Sequence, residues 1–127
     1  MGKVIEKIRL TNFLDPTHTA EVEALIDTGA STIALPLDMV LRLGLKKLRE
    51  VRVRYANGTS ESKGIYGVVA VEIKGRAGEF DVIAEAEGTQ PLVGQIVLEQ
   101  LDLVVDPRNR CLMPNPASPD MPLLELL

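Results

Sequence analysis

Apolar and charged positions alternate over Val4–Leu10, where Val4, Ile8 and Leu10 sit among charged neighbours, and over Ala20–Ile26, where Ala20, Val22 and Ala24 alternate with Glu21 and Glu23. A period of two marks half-buried strands, and Asp15-Pro16-Thr17 supplies the turn between them. The loop around Asp27 then leads to Leu37–Leu43, which has Pro36 before it and Gly44 after it, the punctuation of one short helix. Val51–Tyr55 alternates again and runs into Asn57-Gly58, which predicts a projecting hairpin with a two-residue type I′ turn. The β-branched stretch Ile65–Ile73, a turn at Gly75–Gly78 and a return over Phe80–Ala84 continue this as a meander. Ile96–Leu101 predicts a second short helix, and Leu103–Val105 predicts a strand ending in the turn Asp106-Pro107-Arg108-Asn109. Beyond it, Pro114, Pro116, Pro119 and Pro122 exclude a helix interior or central strand. The tail is therefore extended, and its end, Leu123–Leu127, needs an apolar surface.

Composition narrows this picture. The 127 residues suit a single domain, 1–127, with a core over about 4–112 and a proline-rich tail over 113–127. Tryptophan is absent and aromatics make up 3%, so the core falls to Val, Ile, Leu and Ala. A net charge of -4 argues against nucleic acid or an anionic membrane as partner. With one cysteine, no intramolecular disulfide can form, and with no secretory or membrane-spanning run the cytoplasm is the expected compartment. Cys111 reads as a small packed residue, with an interchain disulfide or redox control as the alternative. His18 has no second histidine to share a metal, so neither a metal nor a catalytic role is expected of it, and no cofactor is expected. Asn57-Gly58-Thr59 matches a glycosylation acceptor, but in this setting the turn is the better reading.

The candidate chemistry lies in Ala24-Leu25-Ile26-Asp27-Thr28-Gly29-Ala30-Ser31-Thr32, where an apolar strand delivers a carboxylate into Thr-Gly. An isolated Asp-Thr-Gly is most often a turn, with the aspartate capping nearby amides. Here the apolar approach would bury the surroundings of the carboxylate, which a solvated turn does not need. A second element, Pro91-Leu92-Val93-Gly94, precedes the second predicted helix, and the Asn57-Gly58 hairpin lies between the two. Taken together and in this order, over roughly residues 4–112, these elements resemble the retropepsin-like aspartic proteases: single-lobe homodimeric enzymes that include retroviral proteases and similar bacterial and archaeal proteins.

The resemblance implies an all-β fold, a closed and mostly antiparallel barrel with one or two short helices. It also implies an aspartic endopeptidase in which Asp27 is the one catalytic acid per chain. Such a site needs two carboxylates sharing a proton, because like charges a few ångströms apart do not both ionise cheaply. A homodimer must supply the second, since Asp106 lacks a following Thr-Gly. By the same resemblance Thr28 bonds across the dimer axis, Gly29 brings its amide to the carboxylate, and Ala30 cannot donate to it as a serine would, which favours mildly acidic to near-neutral working conditions. An extended polypeptide substrate would lie between the paired aspartates and the flap, with Ser31, Thr32, Asn57, Gly58, Thr59, Val93 and Gly94 as its binding residues. Two positions depart from the retroviral pattern: Ser31 stands where an aspartate commonly follows Ala, and Gln95 where an arginine usually follows Gly. The flap is also more charged, with Arg52, Arg54, Glu61 and Lys63, which reads as an exposed ribbon. The family interleaves its terminal strands between protomers, which would cover the leucine-rich tail. The alternative of another class is a retropepsin-like peptide-binding or dimerisation module that does not cut.

Overall fold

The computed structural model describes residues 3–126; Met1, Gly2 and Leu127, the last residue of the leucine-rich end, lie outside the described residues. The chain forms β1 (Val4–Asn12), β2 (Thr19–Ile26), β3 (Ile33–Pro36), α1 (Leu37–Arg42), β4 (Lys46–Arg54) and β5 (Ser60–Ile73). It continues through β6 (Arg76–Glu85), β7 (Leu92–Val93), α2 (Gln95–Leu101), β8 (Leu103–Asp106) and β9 (Cys111–Pro114). Six strands close a ring in the order β1-β2-β7-β3-β6-β5, because β5 pairs back onto β1 through Arg9↔Glu72 to Asn12↔Val69. β4 continues the sheet outside the ring by pairing with the first half of β5. Pairings are antiparallel except β2 with β7 and β3 with β6. The fold is the expected all-β closed barrel with two short helices.

Alternation along β1 explains the barrel interior: Val4, Ile8 and Leu10 point in with Glu6 and Asn12, while Lys7 and Arg9 face out. Both inward polar groups have partners, as burial requires. Glu6 accepts the Leu112 N–H at 2.6 Å and pairs with Lys74 at 3.6 Å, fastening the β8–β9 hairpin to the barrel. Asn12 donates to the Leu43 carbonyl at 2.9 Å, tying the end of α1 to the β1–β2 turn. The core is aliphatic as composition requires, with Ile8, Leu10, Ile33, Leu35, Ile73 and Leu101 among its fully buried side chains. Helix α1 ends as its punctuation predicts: Gly44 has φ +68° and donates to the Leu41 carbonyl.

Three local expectations need correction, and one short strand had not been expected. β3 is a strand, not part of the loop leading to α1; it pairs with β7 and β6 along its edges, and its apolar run Ile33-Ala34-Leu35-Pro36 carries no alternation because both its faces are covered, with Ile33, Leu35 and Pro36 buried and Ala34 half-buried. The turn placed at Gly75–Gly78 is the two-residue Lys74-Gly75, both at positive φ, with Ile73 opposite Arg76. Arg76 consequently belongs to β6 and points inward. The hairpin tip is not the two-residue Asn57-Gly58 turn. Tyr55 and Thr59 close a three-residue loop in which only Gly58 takes positive φ, and Asn57 instead uses its side chain to accept the Thr59 N–H and hydroxyl. Finally, Cys111–Pro114 pairs with β8, and Pro114 sits at the end of this two-stranded sheet where its missing N–H does little harm.

The proline-rich tail is pinned to its own chain. Asp102, the left-handed C-cap of α2 at φ 55°, accepts hydrogen bonds from Asn115 Nδ2 at 3.1 Å, the Leu123 N–H at 3.0 Å and the Ser118 hydroxyl. The buried Arg76 donates to the carbonyls of Leu101 at 3.2 Å, Asp102 at 2.8 Å and Ser118. From this anchor Leu123–Leu126 run beside Ile96 on the outer side of α2. Among the described residues no helix is long and apolar enough to cross a membrane.

The Ser118 hydroxyl, then the Leu123 amide and Asn115, hold the Asp102 carboxyl below its ordinary 3.8. A depressed carboxylate contributes stability that is complete above its unfolded value and disappears as pH falls through the lower folded value. Tail docking should therefore be intact at neutral pH and lost only in strong acid. Limited proteolysis by an acid-active protease should cut the 115–126 segment only below the ordinary carboxylate range, whereas Asp102→Asn should expose it at neutral pH.

Candidate active site

The two-residue strand β7 is the wedge around which the site forms. Its residues pair in parallel with β2, Leu25↔Leu92 and Ile26↔Val93, and antiparallel with β3, Ile33↔Val93 and Ala34↔Leu92. The chain must therefore leave β2 on one side of β7, loop over its end and return on the other side as β3. Asp27 is the first residue of that loop, and its N–H donates to the Val93 carbonyl at 2.9 Å. The Ala30 N–H closes the turn onto the Asp27 carbonyl at 3.1 Å.

After β7 the chain passes directly beneath the loop. The Gln95 and Ile96 N–H groups donate to the carbonyls of Ala30 at 2.8 Å and Ser31 at 3.0 Å. Gly94 is enclosed in this crossing: a Cβ there would lie 2.5 Å from the Thr32 oxygen, 2.6 Å from the Ala30 oxygen and 2.7 Å from the Thr32 nitrogen. These are backbone atoms, and the Ala30 carbonyl among them is held by the Gln95 N–H, so they cannot move aside cheaply. The Asp27 carboxylate is held in turn by the Gly29 N–H, which donates to Oδ1 at 2.9 Å, and a side chain on Gly29 would crowd the same oxygen at 3.2 Å. The carboxylate is half-buried, with Ala24 and Ile26 buried behind it.

A cleft of about 330 Å³ opens over the loop. Asp27, Gly29, Ala30, Ser31 and Thr32 line one side, Ala34, Ile83, Glu85 and Leu92 form the barrel wall, and Val53–Ala56 from the first arm of the hairpin face them. The other expected residues lie around this space. Thr28 is exposed on the loop, Asn57, Gly58 and Thr59 occupy the hairpin tip, and Val93 and Gly94 are buried beneath the loop. Gln95, at the position where an arginine was the retroviral expectation, donates to Glu99 at 3.3 Å.

Sequence reading missed a polar cluster that includes two residues of the cleft lining, Tyr55 and Glu85. The Tyr55 hydroxyl donates to the Glu85 carboxylate, 3.0 Å from Oε1 and 2.9 Å from Oε2, and Lys63 pairs with the same carboxylate at 3.1 Å. Burial first, and then the adjacent Glu85 carboxylate, push the Tyr55 phenol up to about 12, so it remains a donor through the physiological range. Tyr55 was visible as one of two tyrosines, at the last position before the tip, but Glu85 is thirty positions away and had no local signal. Among the described residues no His, Cys, Asp and Glu group is arranged to hold a metal.

The family profile described as "gag-polyprotein putative aspartyl protease" matches residues 17–100, more than half of the chain. The chain belongs to this family. The fold of this family member is similar to that of EIAV protease complexed with the inhibitor HBY-793, with a TM-score of 0.57 at 19% identity over 78% of this chain and 88% of that one. No curated protein matches the chain in sequence. Family and fold are those of a retropepsin-like aspartic protease, and together they suggest an aspartic-protease-like function.

Gly94→Ala in this aspartyl protease family member should destabilise the fold by about 2 kcal/mol or more, the usual range for forcing a methyl group into closed packing. The change should appear as a lower urea midpoint with an unaltered slope. Gly58→Ala serves as the comparison: no heavy atom lies near its Cβ, and only its φ of +88° opposes the substitution.

Proposed function

We propose that the protein is an aspartic endopeptidase that works as a homodimer, with Asp27 of each protomer holding and activating one water molecule. The observation that carries this reading is the half-buried Asp27 carboxylate, anchored by the Gly29 amide at the floor of an open cleft, in a chain with a single Asp-Thr-Gly. One carboxylate cannot be both the base that takes a proton from water and the acid that serves the carbonyl oxygen in the same step. Two carboxylates sharing one proton can.

In the proposed reaction the ionised Asp27 removes a proton as the water oxygen bonds to the scissile carbonyl carbon, while the protonated Asp27 donates to the carbonyl oxygen. The resulting gem-diol collapses, the carbon–nitrogen bond breaks, and a proton passes from the dyad to the leaving nitrogen. The gem-diol hydroxyl that becomes the new carbonyl gives its proton to the dyad, which so regains its single shared proton. Thr28, Gly29 and Ala30 fix the geometry of the loop in this reading. Ser31 and Thr32 meet an extended polypeptide, which lies as an added strand beneath Asn57, Gly58 and Thr59. Val93 and Gly94 support the loop from below. The apolar walls made by Ala34, Ile83 and Leu92 suit side chains of the substrate dropping from that strand. The lone Cys111 suits a reducing compartment such as the cytoplasm.

The test is cleavage of a diverse peptide library from about pH 4 to about pH 7, the range of a proton-sharing carboxylate pair. Wild-type protein should cleave, with specific activity that falls on dilution as dimers dissociate. Asp27→Asn should lose at least ~10³-fold of that activity while keeping its unfolding midpoint. An excess of the Asp27→Asn chain mixed with wild type should suppress activity through mixed dimers. Cleavage that survives Asp27→Asn, or that does not depend on concentration, would overturn the proposal.

A further inference from the structure

A two-stranded ribbon is marginally stable in water by itself and keeps a fixed orientation only if something outside it holds it. Past the barrel, β4 and β5 pair only with each other, from Val51↔Lys63 to Arg54↔Ser60. At the base of the first arm Arg49 pairs with Asp81 of β6 at 3.2 Å, and beyond that point, among the described residues, the ribbon meets the barrel wall in a polar contact at Glu85. Glu85, the last residue of β6, accepts the Tyr55 hydroxyl from the end of the first arm and pairs with Lys63 from the second.

We infer that Glu85 is the anchor of the flap: it holds both arms of the β4–β5 hairpin at a set height over the Asp27 loop, leaving residues 56–59 as the part free to close. Three features of the site carry this inference. The contacts come from opposite arms, so together they resist both swaying and twisting of the ribbon, which one contact would not. The side chains of Glu85 and Lys63 are only 20% and 18% exposed, so the pair is shielded from solvent and weakly screened by salt, unlike the ion pair of Lys47 with Glu50 nearer the base of the arm. Tyr55 and Glu85 both line the cleft that holds Asp27, so the anchor is also part of the lining of the space between hairpin and loop. Glu61 lies 3.9 Å from Lys63 on the same arm, an exposed second carboxylate beside the lysine.

The role in closure rests on the endopeptidase reading, but the anchoring itself does not, and the experiment separates them. Amide hydrogen exchange would be followed in full-length wild type, Tyr55→Phe, Glu85→Gln, Lys63→Met and the Tyr55→Phe/Glu85→Gln double variant. Exchange in residues 51–62, including the Tyr55 amide that bonds to Thr59, should accelerate at least ~10-fold in the single variants. Amides of β1 and β2 should remain at wild-type rates, which also certifies that each variant is folded. The double variant should fall short of the combined single effects, because Tyr55 and Glu85 act through one contact. If wild type cleaves peptides, the variants should raise KM more than they lower kcat, since the dyad is untouched. Flap exchange at wild-type rates in the folded variants, or strict additivity in the double variant, would overturn the anchor whether or not any peptide is cut. Failure of cleavage with accelerated flap exchange would instead count against the endopeptidase reading alone.

Discussion

The placement of the candidate acid depends on a steric constraint with no charge in it: two backbones cross at Gly94 with no room for a side chain. β7 is only two residues long and could not hold its place as an isolated strand. It persists because β2 grips one edge and β3 the other, and because the next residue passes under the Ala30–Thr32 loop closely enough for Gln95 and Ile96 to bond to it. Hydrogen bonds then brace the loop from below while the Gly29 amide fixes the carboxylate from within. Asp27 is therefore located by sheet register and not by side-chain packing. Register is the stiffest coordinate a β structure has, because a slip of one residue would turn every inward side chain of β2 outward.

This explains which parts could be read from the chain. β1 and β2 alternate and were legible, as were α1 between Pro36 and Gly44 and the helix after Gly94. The Asp27 loop and the crossing at Gly94 were legible as positions, because an apolar strand running into Thr-Gly and the Val93-Gly94 pair ahead of a helix mark them in the chain. β3 was not, since packing on both sides removes the alternation that announces a strand. The Lys74-Gly75 turn was misplaced because Arg76 looked like a turn residue, when its role is to reach carbonyls of α2 and the tail from inside the sheet. The hairpin tip was legible as a turn but not as a type, because Asn57 satisfies its neighbours with its side chain and has no need of positive φ. The far wall of the cleft was hidden for a simpler reason. Glu85 meets Tyr55 and Lys63 only through the meander, and no local pattern encodes a meeting across that distance.

The molecule thus divides its labour by residue class. Aliphatic side chains fill the barrel and carry its stability. Buried or partly buried polar groups sit where separate elements must be fastened together: Glu6 to the β8–β9 hairpin, Asn12 to α1, and Arg76 with Asp102 to the tail. Each makes several bonds at once, which satisfies a buried polar group and makes its contact directional.

Closing the ring also decides how the protein behaves in a crowded solution. Closure of the ring shortens the ladders left open to a passing strand, but β4 lies outside the ring and pairs on one side only. That strand reads Lys46, Lys47, Leu48, Arg49, Glu50, Val51, Arg52, Val53 and Arg54, with five cations and a single acid. Two copies approaching edge to edge at β4 would bring cation rows together before any backbone hydrogen bond could form. In a chain whose net charge is negative, this local excess of positive charge leaves the flap's outer arm an exposed edge that resists recruiting its own kind into a growing sheet.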